Sequence, residues 1–273
     1  MDWLEVHRGD APLIISLPHT GFDLPPGLAD DFVSPWLAVR DADWWIDKLY
    51  DFARDIGATT IRTTLSRSVI DVNRDPSGAS LYPGQFTTGL CPTETFDGEP
   101  LYVAGSPTAI EIARRREAWF DPYHAALTDE IARLRGLHDR VVLYDAHSIR
   151  SVVPSLFEGE LPNLNIGTNG DTSCDPALTR AVEAACDVGP FSRVTNGRFR
   201  GGWITRHYGQ PDKGVHAIQM ELACRGYMDD PAEPPTPATW PAPYRPEQAA
   251  PMRSLLTDVL AACLTFARAG SPS

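Results

Sequence analysis

Short apolar segments alternate with amphipathic segments of helix length, and this alternation constrains the fold more than any other feature of the sequence. The strand candidates are mostly apolar, which is typical of a sheet covered on both faces. They lie at 12–17, 58–63, 68–72, 141–144, 164–167 and 215–222. Helix candidates lie at 43–56, 107–137, 176–187 and 247–268. We expect the second helix to break at Asp121-Pro122, because proline cannot donate the interior hydrogen bond.

The segments between these elements predict one domain rather than several. Residues 75–104 are rich in Gly, Pro and Thr without periodicity, so we expect an ordered surface loop there. The proline-rich stretch 229–246 predicts an extended, polyproline-like crossing. No repeat or Gly/Ser linker divides the chain. We therefore predict a single α/β domain over 1–273, with a central mixed sheet and helices on both faces.

Composition and charge exclude several classes of protein. With 42% hydrophobic residues, the chain can bury a sizeable core, which excludes a disordered or fibrous protein. Its net charge of −12 disfavours nucleic acid or an anionic membrane as a partner. No apolar run approaches the ~18 residues of a spanning helix. The opening MDWLEVHRGD lacks the regions of a signal peptide, and the five scattered cysteines predict reduced, mostly buried thiols, so we expect a cytoplasmic protein.

Polar clusters interrupt or follow four of the apolar strands. They are PHTG at 18–21, SRSVIDVNR at 66–74, DAHS at 145–148 and QMEL at 219–222. In α/β folds, ligands bind at the carboxyl ends of strands, where such clusters meet. These clusters therefore mark the expected site.

Two histidines and one carboxylate form the protein ligand set of a catalytic zinc that keeps a position for water. His19 and His147 are the histidine candidates. Asp43 could supply the carboxylate from the start of its helix, although an aspartate there could also cap that helix. Asp145 competes, because it shares a strand face with His147 or could orient that histidine from behind.

Glu221 lies between two apolar residues in a strand pattern. An ionised carboxylate is seldom buried unpaired, so an inward-facing Glu221 would be functional or salt-bridged. Arg67 and Arg74 flank an asparagine in the second cluster, and the alternative for both is a surface charge or a partner of a nearby aspartate.

The chain resembles the N-formylglutamate amidohydrolase family over residues of roughly 5–265. The resemblance rests on SLPHTG, DADWWIDKLYDFARDIGA, SRSVIDVNRDP, LYDAHS, GRFRGGWITRHYG and HAIQMELACRGYM, in this order. It implies a fold similar to that of zinc carboxypeptidases and of the aspartoacylase and succinylglutamate desuccinylase group. It also implies one zinc ion per chain and hydrolysis of N-formyl-L-glutamate to formate and L-glutamate in histidine breakdown.

The similarity to carboxypeptidases implies a role for five residues. Asn73 and Arg74 resemble the pair that binds a substrate's α-carboxylate, and Arg67 resembles the arginine that polarises the scissile carbonyl. His147 matches the later metal ligand, and Glu221 matches the glutamate that activates water. These roles imply a hydrolytic mechanism with Glu221 as the base.

One departure from carboxypeptidases concerns the metal ligands. Those enzymes carry the first two ligands as His-x-x-Glu, whereas Phe22 stands three residues after His19. Asp43 is therefore inferred as the carboxylate ligand. The second carboxylate of the substrate needs another cation, and Arg206 and His207 are the candidates because nearby glycines predict a loop over the site. A surface turn with a solvated arginine is the alternative.

The expected partner is a small acidic N-acyl amino acid, bound in a tight pocket beside the metal. Two other functions stay open from the sequence. The chain could hydrolyse another N-acyl amino acid or a small peptide, or it could be a binding protein that keeps this fold without turnover. The sequence does not determine the oligomeric state.

Overall fold

One mixed sheet organises the computed structural model, which describes residues 2–81, 84, 87–231 and 235–269. The strands are β1 (Leu4–His7), β2 (Leu13–Leu17), β3 (Thr59–Thr63), β4 (Val141–Ile149), β5 (Leu164–Gly167), β6 (Arg193–Thr195) and β7 (Val215–Ala223). Their order is β1-β3-β2-β4-β7-β5-β6. The central strands β3, β2, β4 and β7 are parallel, whereas β1 and β5 run antiparallel to β3 and β7. The strands β1 and β6 were not predicted.

Helices cover both faces of this sheet, which confirms the predicted fold class. They are α1 (Pro35–Val39), α2 (Ile46–Leu49), α3 (Ala109–Arg115), α4 (Asp121–Arg135), α5 (Pro176–Cys186), α6 (Trp203–Tyr208) and α7 (Pro246–Arg268). One apolar core joins the sheet to α2, α5 and α7. A second core joins it to α1, α3, α4 and α6. Consecutive strand residues enter opposite cores, as Val142 and Leu143 do, because side chains alternate across a strand.

The helix α7 is long and apolar enough on average to cross a membrane, although charged residues interrupt it and no continuous apolar run of that length occurs. Half of its most apolar window is nevertheless buried within the protein. Its fully buried residues in the first of the two cores include Leu256, Val259, Leu260 and Cys263. The packing therefore gives α7 the role of a core helix.

Residues 68–72 form turns, so the strand predicted there is wrong. Val69 and Val72 are buried in the second core, as their apolar character requires. The backbone, however, turns at Asp71, whose Oδ1 atom accepts a 2.9 Å hydrogen bond from the amide of Asn73. A short carboxylate that binds the backbone two residues ahead stabilises a turn instead of a strand.

The helix predicted over 43–56 is broken into short pieces. Trp45 adopts a left-handed conformation with φ of 65°, so α2 begins at Ile46, and a 3-10 turn follows at Asp51–Arg54. The helical region predicted over 107–137, in contrast, is more continuous than expected. A π-helical turn at Arg116–Phe120 joins α3 to α4, and this wider turn precedes Pro122 where a break was predicted.

Two long connections were predicted to lack regular structure. Across 75–104 the described residues form turns and isolated bridges, and residues 82, 83, 85 and 86 lie outside the described part. In 229–246 the described residues likewise form no helix or strand before Pro246, and 232–234 lie outside that part. Trp240 is buried in the first core, so this crossing packs against the domain.

Candidate metal-binding active site

Four chemically active side chains meet at the carboxyl ends of the parallel strands. His19 lies two residues after β2, and Arg67 lies four residues after β3. His147 and Glu221 lie inside β4 and β7, where the strand register sets them side by side. The predicted strand 141–144 therefore extends further than expected, to Ile149. Parallel neighbours end at one edge of the sheet, which brings residues distant in sequence to one place.

His19, Asp43 and His147 form a buried group whose potential ligand atoms all lie within 4.8 Å of one another. The Oδ2 atom of Asp43 lies 3.0 Å from Nδ1 of His147 and 3.7 Å from Nδ1 of His19. The Asp43 amide donates a 2.9 Å hydrogen bond to the carbonyl oxygen of His19, which holds the two segments together. This group fits the donor set of a metal site with three protein ligands.

The other nitrogen of each imidazole faces a second carboxylate. His19 Nε2 lies 2.7 Å from Asp71 Oδ1, and His147 Nε2 lies 3.1 Å from Asp145 Oδ2. Asp145 is thus on the Nε2 side of His147, opposite Asp43. A carboxylate in this position orients a ligating imidazole and increases its basicity. The geometry favours Asp43 over Asp145 as the carboxylate ligand.

The charges of these groups are mutually stabilised despite burial. Burial by itself lowers the pKa of His147, but the carboxylate of Asp145 raises that pKa well above its ordinary value. Burial raises the pKa of Asp43, but the nearby His19 and the hydrogen bond from His147 hold that pKa below its ordinary value. Burial also opposes ionisation of Asp71, whose pKa is lowered by Arg74, His19 and Arg67. The site therefore concentrates ionised carboxylates around two imidazoles, which favours a cation.

Glu221 lines a cavity beside this group. The Nε2 atom of Gln219 donates a 3.3 Å hydrogen bond to Glu221 Oε2, while the side-chain Oε1 atom of Gln219 accepts a 2.7 Å hydrogen bond from the backbone amide of Gly202. Burial raises the pKa of Glu221 to about 8. A carboxylate with a raised pKa beside a candidate metal site is suited to accept and return a proton near neutral pH.

Arg67 approaches the candidate metal-binding group and also lines the cavity. Its Nη2 atom donates a 2.7 Å hydrogen bond to Asp71 Oδ2, and its Nη1 atom lies 3.8 Å from Asp43 Oδ1. The guanidinium lies 5.0 Å from the ring centre of Phe96. Burial opposes the charge, but Asp71 and Asp43 raise the pKa of Arg67. Its positive charge is therefore held at the cavity wall.

The Asn73 amide is engaged within the protein. Its Nδ2 atom donates a 3.1 Å hydrogen bond to Asp145 and lies 2.9 Å from Nε2 of His147. Its Oδ1 atom accepts a 2.8 Å hydrogen bond from the amide of Ile204 in α6. These contacts fix the Asn73 amide beside His147, and the residue also lines the cavity.

Arg74 also lines the cavity, at its Asp71 side. Its Nη2 atom lies 3.5 Å from Asp71 Oδ2 and donates a 2.9 Å hydrogen bond to the hydroxyl of Thr88. Its Nε atom donates a 3.0 Å bond to the Thr88 carbonyl oxygen. These contacts hold the Arg74 side chain, which was predicted to bind the substrate's α-carboxylate, in the wall of the cavity.

The structure does not bring the predicted second cations into the lining of this cavity. Within segment 201–209, the helix α6 occupies Trp203–Tyr208 in place of the predicted loop. Arg206 donates to the carbonyl oxygens of Gly201 and Leu81, and His207 is exposed and stacks on Trp203 at 4.7 Å. Neither Arg206 nor His207 is among the described residues that line the cavity, whereas Arg198 is.

The cavity is small, at about 70 Å³, which matches the tight pocket expected beside the metal. Its described lining combines the polar residues above with apolar side chains. The lining residues are His19, Arg67, Asn73, Arg74, Leu81, Thr87, Thr88, Phe96, His147, Ser148, Ile149, Leu156, Arg198, Phe199, Gly202, Gln219 and Glu221. Polar groups set in a partly apolar cavity are typical of a small-molecule site.

Sequence reasoning gave no site role to four residues that the structure brings to this region. Asp71 and Gln219 lay inside clusters that were singled out, so their position was a usable signal. Arg198 lay in one of the resembling segments. His124, in α4, is hydrogen-bonded to the Val72 carbonyl oxygen at 2.8 Å, and burial lowers its pKa to about 4. It supports the turn that carries Asn73.

Comparison with known proteins gives a consistent result over nearly the whole chain. A profile of the family described as N-formylglutamate amidohydrolase matches residues 11–228. The chain is 45% identical to N-formylglutamate deformylase of Pseudomonas aeruginosa over 97% of both proteins. It is 44% identical to N-formylglutamate deformylase of Pseudomonas putida over 96% of both.

Solved structures show the same fold at lower sequence identity. The crystal structure of N-formylglutamate amidohydrolase from Ralstonia eutropha is similar with a TM-score of 0.81 and 23% identity, covering 99% of this chain and 100% of that one. A gene product of Agrobacterium tumefaciens is similar with a TM-score of 0.72 and 17% identity, covering 97% and 95% of the two chains. At these identities the likeness concerns the fold.

Proposed function

Because the chain belongs to the N-formylglutamate amidohydrolase family, we propose that it hydrolyses the formyl amide of N-formyl-L-glutamate to formate and L-glutamate. One observation carries the proposal: a buried group of two histidines and an aspartate lies beside a small cavity that Glu221 and arginines line. That arrangement combines a Lewis-acid site, a base and cations for an acidic substrate. It favours hydrolysis over a binding function without turnover.

The residues present fit one zinc ion. His19 and His147 would bind it through Nδ1, and Asp43 would bind it through Oδ2, because these atoms face one another while each Nε2 atom faces a separate carboxylate. Two imidazoles and one carboxylate are a known ligand set for catalytic zinc. When bound, the ion would polarise the formyl oxygen and lower the pKa of water toward ~7.

Glu221 acts as the general base in this proposal. It lines the cavity, and burial raises its pKa to about 8, so its carboxylate has a higher proton affinity than an exposed glutamate. It takes a proton from the attacking water and passes it to the departing amine of glutamate. Gln219 orients the carboxylate through the 3.3 Å hydrogen bond.

Arg67 stabilises the negative charge that develops on the formyl oxygen. Its guanidinium is buried and held by Asp71, so it need not reorganise as the charge appears. A preorganised cation in a site shielded from water stabilises such a charge more than a mobile one in water does. Asn73 and Asp145 hold His147 in place through the contacts at its Nε2 atom.

Arg74 binds the α-carboxylate of the substrate. It lines the cavity next to Asn73, and hydrogen bonds to Thr88 hold its positive charge at that wall, where it can attract a carboxylate. In a protein with a net charge of −12, a local cation is needed to offset the overall field for an anionic substrate.

We also propose that the reaction takes place in the cytoplasm and serves histidine breakdown. The cytoplasmic location is supported by the five cysteines, all of which belong to the described residues and are buried and unpaired. Such thiols are typical of proteins kept in a reducing compartment. The role in histidine breakdown follows from the resemblance to the family.

A formate-release assay on the purified protein tests this function. We expect hydrolysis of N-formyl-L-glutamate, loss of activity after chelation, and recovery on addition of zinc. N-formyl-L-aspartate and N-acetyl-L-glutamate should be poorer substrates if the pocket is built for a formyl group and a glutamate side chain. A protein that binds zinc stoichiometrically yet releases formate no faster than the uncatalysed control would contradict the proposal.

A further inference from the structure

The cavity receives arginines from two distant parts of the chain. Arg67 and Arg74 follow β3 and both contact Asp71. Arg198 follows β6, which forms the sheet edge farthest from β1 and β3. The same cavity is lined by all three residues. A ligand with two separated carboxylates could therefore contact one arginine from each part.

Arg198 is held in a defined orientation. Its Nε atom donates a 2.6 Å hydrogen bond to the carbonyl oxygen of Leu156, and its guanidinium lies 5.3 Å from the ring centre of Phe199. Phe199 in turn packs against Phe157 with 6.2 Å between ring centres. A guanidinium oriented in this way loses less conformational freedom when it binds an anion than a mobile one does.

The neighbours of Arg198 in the cavity strengthen its electrostatic effect. Leu156, Phe199, Ile149 and Phe96 contribute apolar surface to the lining. An ion pair formed against apolar surface is screened less by water than one at an open surface. Arg198 is therefore placed to discriminate between charged and neutral groups of similar shape.

We propose that Arg198 binds the side-chain carboxylate of the N-acyl amino acid and thereby selects an acidic side chain. This inference rests on the proposed function and deepens it, because it assigns the second carboxylate to a residue. It replaces Arg206 and His207, which the sequence suggested, since neither belongs to the described lining of the cavity. Arg74 retains the α-carboxylate.

The test compares N-formyl-L-glutamate with N-formyl-L-glutamine, which has nearly the same shape and no side-chain charge. For Arg198→Ala we expect kcat/KM on formyl-glutamate to fall about 10- to 100-fold, the range expected for a lost charged hydrogen bond. On formyl-glutamine the same substitution should change kcat/KM less than about threefold. Arg198→Lys should recover part of the discrimination, because it keeps the charge without the fork.

Arg200→Ala is the matched control. Arg200 carries the same charge as Arg198, lies two residues further along the chain, is exposed, and does not belong to the described lining of the cavity. It should leave the preference for formyl-glutamate unchanged. Equal loss on both substrates in Arg198→Ala, or no loss on either, would overturn the assignment. Loss of the preference in Arg200→Ala as well would mean that overall charge sets it, which also overturns the assignment.

Calorimetric binding separates this inference from the proposed function. The zinc-loaded protein is titrated with N-acetyl-L-glutamate and with N-acetyl-L-glutamine, in wild type and in Arg198→Ala. Tighter binding of the glutamate compound that depends on Arg198 would support the assignment even if no formate were released. Turnover of formyl-glutamate with no effect of Arg198 on either binding or rate would leave the function intact and reject the role of Arg198.

Discussion

The Oδ2 atom of Asp43 lies 3.0 Å from Nδ1 of His147, on the side of the imidazole opposite Asp145. The two aspartates that compete for the ligand role in the sequence are therefore separated by the ring itself. In the proposed metal site, Asp43 would bind the ion, and Asp145 would orient the imidazole of His147 through its Nε2 atom. These two roles have different consequences when each carboxylate is removed.

We predict that His19→Ala, His147→Ala and Asp43→Asn lose the metal, because two ligands are too few for an open zinc site. Asp145→Asn should keep the ion with about 10- to 100-fold lower affinity, as is typical when a supporting carboxylate is lost. Metal content measured by mass spectrometry after dialysis checks both expectations. If Asp145→Asn lost the ion and Asp43→Asn kept it, the two roles would have to be exchanged.

Glu221→Gln should separate metal binding from turnover. The substitution keeps the shape and removes the proton acceptor, so we expect kcat to fall by ~10²–10⁴ with the metal retained. Rate measurements on protein with verified zinc content give the result. An active Glu221→Gln enzyme would mean that another group accepts the proton.

The pH dependence of the rate should have an acidic limb that belongs to Glu221. Burial raises the pKa of Glu221 to about 8, and a bound cation would lower it again by stabilising the carboxylate. Glu221 must be ionised to act as the base. The value of kcat/KM should therefore fall by about tenfold per pH unit once the pH drops below the pKa that Glu221 has in the metal-bound protein. A profile measured from about pH 5 to about pH 9 should show the limb in wild type. The residual activity of Glu221→Gln should lack it, and an identical limb in that variant would assign it elsewhere.

Arg74→Ala should weaken catalysis by about 2–4 kcal/mol in kcat/KM, because the α-carboxylate of the substrate would lose a charged partner. Arg74→Lys should recover only part of that loss. A formyl substrate with an amidated α-carboxylate provides the comparison. Wild type should hydrolyse it poorly, and Arg74→Ala should lose little further activity on it. Equal harm to both substrates would show that Arg74 does not bind this group.

Gly202→Ala should impair catalysis through Asn73. A Cβ atom at position 202 would lie 2.4 Å from Asn73 Nδ2, so the amide would have to move away from His147 and Asp145. A misplacement of about 1 Å can cost ~10²-fold in rate, and we expect a loss of that order with the fold retained. Gly89→Ala is the control, because no atom of the described residues, apart from its two chain neighbours, lies within 4 Å of the added Cβ. Full activity in Gly202→Ala, checked alongside the circular dichroism spectrum, would remove Asn73 from its positioning role.

The sequence alone determined the layered architecture and several elements of the site. The apolar run before His19 and the run before Asp145 predicted buried parallel strands, and both strands are central in the sheet. Because the carboxyl ends of parallel strands share an edge, the histidines could be expected to meet there. The helices over 176–187 and 247–268 also followed from local periodicity, since their packing agrees with it.

Tertiary structure decided the features that depend on contacts between distant segments. The strand predicted at 68–72 became a turn because Asp71 binds the backbone at Asn73, and because Asp71 and Asn73 contact His19 and His147 from distant parts of the chain. The helix predicted from 43 was displaced because Asp43 is held by His19 and His147. Arg198 entered the cavity and Arg206 did not, although they lie eight residues apart. Periodicity records which face of an element is buried, whereas the direction of a polar side chain depends on partners that folding brings from elsewhere in the chain.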